Sequence, residues 1–420
     1  MLRRLGGKFG LRLHGWRDVG VRLISGEKIM IRSPVFLKAK PKSRGAGRPP
    51  KRRKDVLVHL GLEYLGIIDL TSPYLIDICV RMATLCPSFE LASDTVKSLG
   101  INLNPTLLRN IVMRFGRVAM TCRGACHADA ALDKPGLKVL VCCDAGRARG
   151  RSPKRGKRAE GLKRQGYHSD WFAPWILTIS VFGPDGKRDK SISEVIDGSC
   201  GNIDEFFNLL EEHLRKVNLA EAAEIVFCAD NGAGIWPRCA ALAEKLKMKD
   251  PKFILDYTHA KQNMGEVAAL LAATLKLKDK PAEKLREEIM DMLWQGDILG
   301  VKKLVADRLS VKVKGARAAL KKANRKLDDY FTDTNKFRYA FYRDGGLPIG
   351  SGSVESAVRR VINLRVKSTG SFWKKENAEA MLFLRSLVLT GKLEIAIEIT
   401  GRRRHNFNEI INFHDNAIAA

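Results

Sequence analysis

The arrangement of apolar and polar positions changes character at Gly136. From residue 55 to residue 120 the chain reads as helical. After Gly136, short continuous apolar runs are separated by turns, which predicts strands. These runs are residues 137–143, 175–182, 225–229 and 253–255. From about residue 265 to 344 the chain is charged and Lys-rich without a strand signal, which predicts a helical segment.

Two amphipathic helices and a more polar strand fill the intervals between the apolar runs. The helices are predicted at 202–217 and 237–247, and the polar strand reaches Val195. The resulting order is strand, strand, strand, helix, strand, helix, strand. That order is typical of an RNase H-like α/β core.

The predicted organisation has six parts. A catalytic core runs over 136–264, is interrupted by an all-helical insertion at 265–344, and resumes with C-terminal helices at 345–395. A basic arm and linker, a helical DNA-binding region and a basic tail complete the chain, at 1–54, 55–130 and 396–420.

The region before the core contains a pattern typical of a helix-turn-helix. One helix begins at Ser88 and stops at Gly100, and Asn104 caps a second that carries Pro105 at its first position. The second helix would present Arg109, Asn110 and Arg114 to DNA. An ordinary helical hairpin that packs the domain explains the same spacing.

The linker at residues 38–54 is composed almost entirely of Pro, Gly, Lys and Arg, which predicts disorder. Its centre, Gly47-Arg48-Pro49, is similar to an AT-hook, in which Arg48 would enter a narrow minor groove. A plain basic linker is an equally good interpretation.

Charge indicates the class of partner. The 420 residues include 74 Lys and Arg against 46 Asp and Glu, a net charge of +28. A surface so basic needs a polyanionic partner or a large amount of counterion. Nucleic acid is the usual partner, here predicted to be double-stranded DNA, and an anionic membrane surface is the rarer one. No apolar run reaches the ~18 residues of a membrane span, so a cytoplasmic protein without a membrane partner is expected. Nine cysteines, several inside apolar runs, predict buried free thiols in a reducing compartment.

Three carboxylates are the catalytic candidates. Asp144 and Asp230 each follow a predicted strand, and these strands are neighbours in the RNase H-like order. Glu355 follows a glycine-rich turn that opens a helix. Together they could hold two Mg²⁺ ions, or Mn²⁺, roughly 3.5–4 Å apart for phosphodiester cleavage. Taken singly, each also fits a turn, a cap or a helix-dipole residue, with Arg359 as the partner of Glu355.

The stretch GLPIGSGSVESAVRRVINLRVKSTGSFW strongly resembles the C-terminal signature of bacterial insertion-sequence transposases of the ISKra type. CCDAGRARGR, CADNGAGIW and LDYTHA are similar to that family's other blocks. The resemblance implies a DDE transposase with Asp144, Asp230 and Glu355 as its triad. It also implies transposon ends and target DNA as substrates, and at least a dimer for synapsis.

Further residues are expected to assist. Arg147 and Arg149 open a basic loop after the first Asp and would clamp phosphates. DNA contacts are also predicted for Arg359, Arg365 and Lys367. Asp256 could be a helper ligand, and His259 could assist the site, although a structural role at its helix start is favoured. Trp373 could stack on a base, although a core tryptophan is the favoured interpretation. Two other functions remain open: a nuclease that cuts without joining, and a catalytically silent DNA-binding protein derived from a transposase.

Overall fold

The structure, a computed structural model, describes residues 10–38, 57–130, 136–154, 166–232, 234–310, 314–368 and 370–403, with a few isolated positions besides. It divides into two units. The first joins Met1–His127 to Leu364–Ala420, and the second is Ala128–Asn363. Arg48, most of the predicted linker and the tail after residue 403 lie outside the described residues.

Within the described residues, ten strands and fourteen α-helices are labelled in chain order. The strands are β1 (Leu11–Arg22), β2 (Lys28–Lys38), β3 (Leu57–Val58), β4 (Leu137–Ala145), β5 (Ala148–Pro153), β6 (Tyr167–Phe172), β7 (Trp175–Phe182), β8 (Val195–Ser199), β9 (Ala222–Ala229) and β10 (Lys252–Leu255). The helices are α1 (Leu60–Tyr64), α2 (Pro73–Leu85), α3 (Phe89–Ser98), α4 (Pro105–Ala119), α5 (Ile203–Leu214), α6 (Ile235–Lys245), α7 (Tyr257–Thr274), α8 (Asp279–Gln295), α9 (Ile298–Leu309), α10 (Ala316–Tyr330), α11 (Tyr339–Asp344), α12 (Gly352–Ala357), α13 (Lys375–Leu389) and α14 (Leu393–Arg403). Short 3₁₀ segments occur at Met120–Ala130, Leu219–Glu221 and Thr334–Phe337, and a π-helix spans Val358–Val366.

The first unit begins with an antiparallel hairpin of β1 and β2, to which β3 adds a third strand. Leu11 and Phe36 of the hairpin pack with Leu60 of α1 in a small apolar cluster. The prediction of a basic arm is therefore corrected for residues 11–38. The solvent-facing sides of both strands carry arginine and lysine, and that charge masked the strand pattern.

Helices α3 and α4 confirm the predicted pair of capped helices. The Ser88 hydroxyl accepts a hydrogen bond from Leu91 N at 3.0 Å, and the Asn104 side chain accepts one from Leu107 N at 2.8 Å. Gly100, at a φ of +81°, follows the end of α3. This positive φ favours glycine, since other residues adopt it at a cost.

The helices after residue 364 belong to the first unit, which corrects their assignment to the catalytic core. Helix α13 is buried on nearly all sides. A Cβ added at Gly116 of α4 would lie 3.0 Å from the Leu384 side chain and 3.2 Å from the Ala380 Cβ. Glycine at this position thus lets α4 and α13 approach closely.

The second unit is built on a five-stranded sheet of order β10-β9-β4-β7-β8. Strands β4, β9 and β10 are parallel, whereas β7 and β8 are antiparallel to their neighbours. The predicted apolar strands are confirmed. β4, β7 and residues 225–229 of β9 are buried on both faces and therefore read as continuous apolar runs, whereas the edge strand β10 is buried only at Ile254 and Leu255. The polar strand predicted to reach Val195 instead begins there.

Helices surround this sheet in the order that the amphipathic patterns predict. Asn202 caps α5 by accepting a hydrogen bond from Glu205 N at 2.8 Å. In the described part of residues 265–344 there are helices and no strands, as predicted. The helical segment starts earlier than the sequence indicated, because α7 begins at Tyr257 directly after its cap, Asp256.

The cysteines are free thiols, and all but Cys86 are buried. Burial raises the pKa of Cys79 to about 12 and holds that of Cys143 well above its usual value. In Cys228 a hydrogen bond with Cys142 is the largest cause of a raised pKa, followed by burial. The prediction of buried free thiols is confirmed for these positions.

Candidate active site

Two aspartates meet at one end of the central sheet. Asp144 is the penultimate residue of β4, and Asp230 directly follows β9. These strands are parallel neighbours, and Cys142 is paired with Cys228. Asp144 and Asp230 are therefore both two residues beyond this pair, on chains that run about 4.8 Å apart.

The Asp144 carboxyl is half-buried, and its pKa is raised. Burial is the largest cause, and the negative charges of Asp230 and Glu355 raise it further. Two interactions oppose the shift: a hydrogen bond from Ala145 N at 2.7 Å and the positive charge of His259. Asp230 and Glu355 are thus close enough to Asp144 to act on its ionisation.

Glu355 lies on α12, which contacts the sheet through the turn that precedes it. Ser351 N donates to Asp256 Oδ1 at 2.6 Å, and the Ser353 and Thr178 hydroxyls are 3.0 Å apart. Val354 is fully buried beneath the helix. These contacts on β7 and after β10 fix the half-buried Glu355 at the sheet end that carries Asp144 and Asp230.

The π-helix that follows α12 packs next to Asp144. A Cβ added at Gly146 would lie 2.6 Å from Ile362 Cδ1. Glycine at this position therefore leaves the space that Ile362 occupies. Wide π-type turns are rare and occur mostly at functional sites.

Asp256 is fully buried and connects three chain segments. Its Oδ2 accepts hydrogen bonds from His259 N at 2.8 Å and from His259 Nδ1 at 2.7 Å, while Oδ1 accepts the Ser351 N–H. Burial raises the pKa of Asp256, but these hydrogen bonds outweigh it and the net shift is downward. Asp256 thus stays ionised and positions its partners.

The same contact controls the charge of His259. The hydrogen bond to Asp256 raises the pKa of His259 to about 9 against the opposing effect of burial. The charges of Asp256, Asp230 and Glu355 raise it further. His259 is therefore a cation at neutral pH in the absence of metal, with Nδ1 oriented by Asp256.

The site has the donor chemistry of a divalent-cation centre. Ligand atoms of Asp256, His259 and Glu355 lie within 4.8 Å of one another. The Asp256 oxygens are occupied by N–H donors, so this residue fits a positioning role. Asp144, Asp230 and Glu355 supply the hard carboxylate oxygens that Mg²⁺ and Mn²⁺ favour.

The structure corrects one predicted DNA contact, that of Arg365. Arg365 is 1 % exposed; its Nε donates to Ala83 O at 2.7 Å and its Nη1 to Pro87 O at 3.2 Å. Its guanidinium lies about 5 Å from the ring centroids of Phe89 and Trp373. Arg365 therefore satisfies carbonyl groups at the end of α2 instead of contacting DNA.

Trp373 is likewise a core residue. Its side chain is buried, and its indole N–H donates to Val366 O at 3.0 Å. A ring held in this way is not available to stack on a base. The sequence favoured a core position for this tryptophan, and the structure places it there. Arg365, in a basic stretch, could not be recognised as an interior residue.

The remaining predicted contacts are accessible. In the second unit Arg147 and Arg359 are exposed and Arg149 is half-buried. In the first unit Arg109 is half-buried, and three residues are exposed: Asn110, Arg114 and Lys367. Their contacts with DNA remain predictions.

The sequence analysis did not identify the exposed aromatic residues of β6, Tyr167 and Trp171. The available signal was three aromatic residues, Tyr167, Trp171 and Phe172, in a six-residue strand directly after a basic segment.

Comparison with known proteins assigns no family. No family model matches the chain, and no curated protein matches it significantly. Among solved structures, a chain of the Drosophila P element transposase strand transfer complex aligns over 82% of this chain and 86% of its own, with 11% identity and a TM-score of 0.26. Similarity at this level carries no argument about fold or function. No helix in the described part of the chain has the length and apolar character to cross a membrane.

Proposed function

We propose that the protein is a metal-dependent DDE transposase with an RNase H-like core. It would cut phosphodiester bonds at the ends of a mobile DNA element and join the freed 3′ ends to target DNA. The observation that carries the proposal is the matched position of Asp144 and Asp230 on neighbouring parallel strands, with Glu355 tied to the same sheet end.

The topology of the sheet supports the RNase H-like assignment. An antiparallel meander of β4, β7 and β8 lies beside the parallel strands β9 and β10. Catalytic groups then collect where the parallel strands end, and a later helix brings the third carboxylate across.

The carboxylates support a metal-dependent reaction. Asp144, Asp230 and Glu355 would hold the ions, either Mg²⁺ or Mn²⁺. Bound ions would stabilise the charge that develops on the attacking and leaving oxygens of the phosphodiester. The raised pKa of Asp144 reflects mutual repulsion of carboxylates in addition to burial, and a divalent cation would relieve that repulsion.

His259 and Asp256 would have separate roles. The imidazolium of His259 would donate a hydrogen bond to a phosphate oxygen at the site. Asp256 would orient that ring and hold the turn before Glu355 through Ser351 N. It is a positioning residue because its oxygens already accept three N–H groups.

The charge of the protein supports DNA as the substrate. The net charge of +28 requires a polyanionic partner, and basic residues are exposed in both units. Membership of the ISKra type, and synapsis by a dimer or larger assembly, belong to this proposal and come from the signature around Glu355.

A cleavage and strand-transfer assay tests the proposal. Purified protein is incubated with Mg²⁺, a plasmid bearing the repeats that flank its gene, and a target plasmid. Wild type is expected to give cut and joined products, and Glu355→Gln about 100-fold less, because one carboxylate ligand contributes several kcal/mol. Glu376→Gln, an exposed first-turn glutamate of α13, serves as the matched control and should behave as wild type.

Other outcomes would reject parts of the proposal. Cutting without joining would identify a nuclease. DNA binding without cutting by any of the three proteins would identify a catalytically silent DNA-binding protein. Full activity of Glu355→Gln would remove that residue from the catalytic set.

A further inference from the structure

A two-stranded ribbon extends from the connection between β4 and β7. It consists of β5 and β6, which pair antiparallel from Ala148 with Phe172 to Pro153 with Tyr167. The Ala148–Phe172 pair at its base is buried, and Gly146 N donates to Pro174 O at 2.8 Å. The ribbon therefore has a fixed base four residues after Asp144.

The two faces of the ribbon differ in chemistry. Paired residues of an antiparallel ribbon project to the same face. One face carries the pairs Arg149–Trp171, Arg151–Ser169 and Pro153–Tyr167. The opposite face carries Ser152–His168 and Gly150–Asp170.

The acidic side chain of the ribbon, Asp170, lies on the opposite face, next to Gly150. A Cβ added at Gly150 would lie 2.0 Å from Asp170 Oδ1, so the carboxylate lies over this glycine. The face with Arg149 and Trp171 therefore carries cations and aromatic rings without a carboxylate.

The Trp171 side chain is exposed to solvent on that face. Its side chain is 58 % exposed, and the Arg149 guanidinium lies 5.4 Å from its ring centroid. The cation–π contact restricts the indole orientation, and the exposed fraction leaves ring surface available for a further planar group. Tyr167, 44 % exposed, is four residues away, or about 13 Å along the strand.

The excess of basic residues in the segment that connects the two strands favours a polyanion as the ligand of this face. The segment that connects its strands, residues 154–166, contains six lysines and arginines and one glutamate. Aromatic rings flanked by cations are the surface on which single-stranded nucleic acid stacks. A duplex offers phosphates to the arginines but keeps its bases stacked internally.

We infer that this face binds single-stranded DNA beside the active site, with Trp171 stacked on an unpaired base. Arg149 and Arg151 contact the adjacent phosphates. The inference rests on the proposed function in one respect, which is that strand cutting supplies the unpaired bases. It adds a binding site for an unpaired base, which is distinct from the carboxylate site and from the phosphate contacts predicted for Arg147 and Arg149.

Binding to labelled dT20 and to a 20-base-pair duplex, measured by fluorescence anisotropy in EDTA, tests the inference. Trp171→Ala is expected to weaken dT20 binding about tenfold, because one base–aromatic stack is lost, and duplex binding less than about twofold. Trp171→Phe should recover most of the affinity, since the ring is retained. Trp16→Ala is the matched control, because Trp16 is 57 % exposed in the first unit, and should leave both affinities unchanged.

Two results would overturn the inference: dT20 binding by Trp171→Ala within about twofold of wild type, or equal losses for single strand and duplex. The assay contains no metal and measures no cleavage, so its outcome is independent of the catalytic proposal. Normal dT20 binding by Glu355→Gln, together with its loss of cutting, would support both.

Discussion

Replacing Asp256 by asparagine tests the central positioning contact of the site. The fully buried carboxylate accepts three N–H groups, two from His259 and one from Ser351. An asparagine offers one acceptor oxygen, so its NH₂ group must face an N–H donor on one side. We expect loss of stability and a displaced turn before Glu355.

The magnitude follows from the lost contacts. One hydrogen bond to a charged group contributes about 1.5–3 kcal/mol, and a buried donor without a partner costs about 1–3 kcal/mol. The sum is about 2.5–6 kcal/mol. For a unit of 150–250 residues this lowers Tm by roughly 5–24 °C.

Thermal unfolding followed by circular dichroism, in EDTA, measures the effect. Asp297→Asn is the matched control. Asp297 also caps a helix, accepting a hydrogen bond from Gly300 N at 2.7 Å, but it is exposed. Asparagine caps helices as well as aspartate does, so the control should shift Tm only slightly. Equal shifts for the two variants would refute the positioning role of Asp256.

Two further predictions concern single side chains. Because the pKa of His259 is raised to about 9, its stabilising effect in EDTA is complete below about pH 6.5 and is lost as pH rises through about 9. After discounting for solvent exposure this amounts to about 1–2 kcal/mol, and urea denaturation at pH 6 and pH 10 should detect it in wild type but not in His259→Asn. Arg365→Ala should destabilise the protein by about 3–5 kcal/mol, since it removes buried hydrogen bonds and leaves a cavity. The exposed neighbour variant Lys367→Ala should change stability by less than about 0.5 kcal/mol, and the reverse ranking would contradict the structural role of Arg365.

The sequence predicted those elements whose buried positions produce a regular pattern of apolar residues within the element itself. The strands β4, β7 and β9 are buried along most of their length, so most positions are apolar and the run is evident. Helix α5 has one buried stripe, which gives a regular period. Placing Asp144 and Asp230 together required only the order of these strands.

The parts that were missed depend on distant partners. Strand β8 contains Asp197, which is buried because His213 of α5 lies 2.9 Å away. No local pattern reveals such a pair. The same limit applied to Arg365, whose partners near residues 83–89 are far away in sequence. Helix α13 was assigned to the wrong unit because an apolar helix does not specify what covers it.

The cysteines within the central strands make the protein's response to oxidants and alkylating agents depend on unfolding. Cys143 immediately precedes Asp144, and Cys228 lies two residues before Asp230. Only the thiolate reacts rapidly, and the raised pKa of both buried groups suppresses it. Chemical modification therefore has to wait until the strands that carry the aspartates separate. The rate at which these thiols become reactive is a measure of how often the central sheet opens.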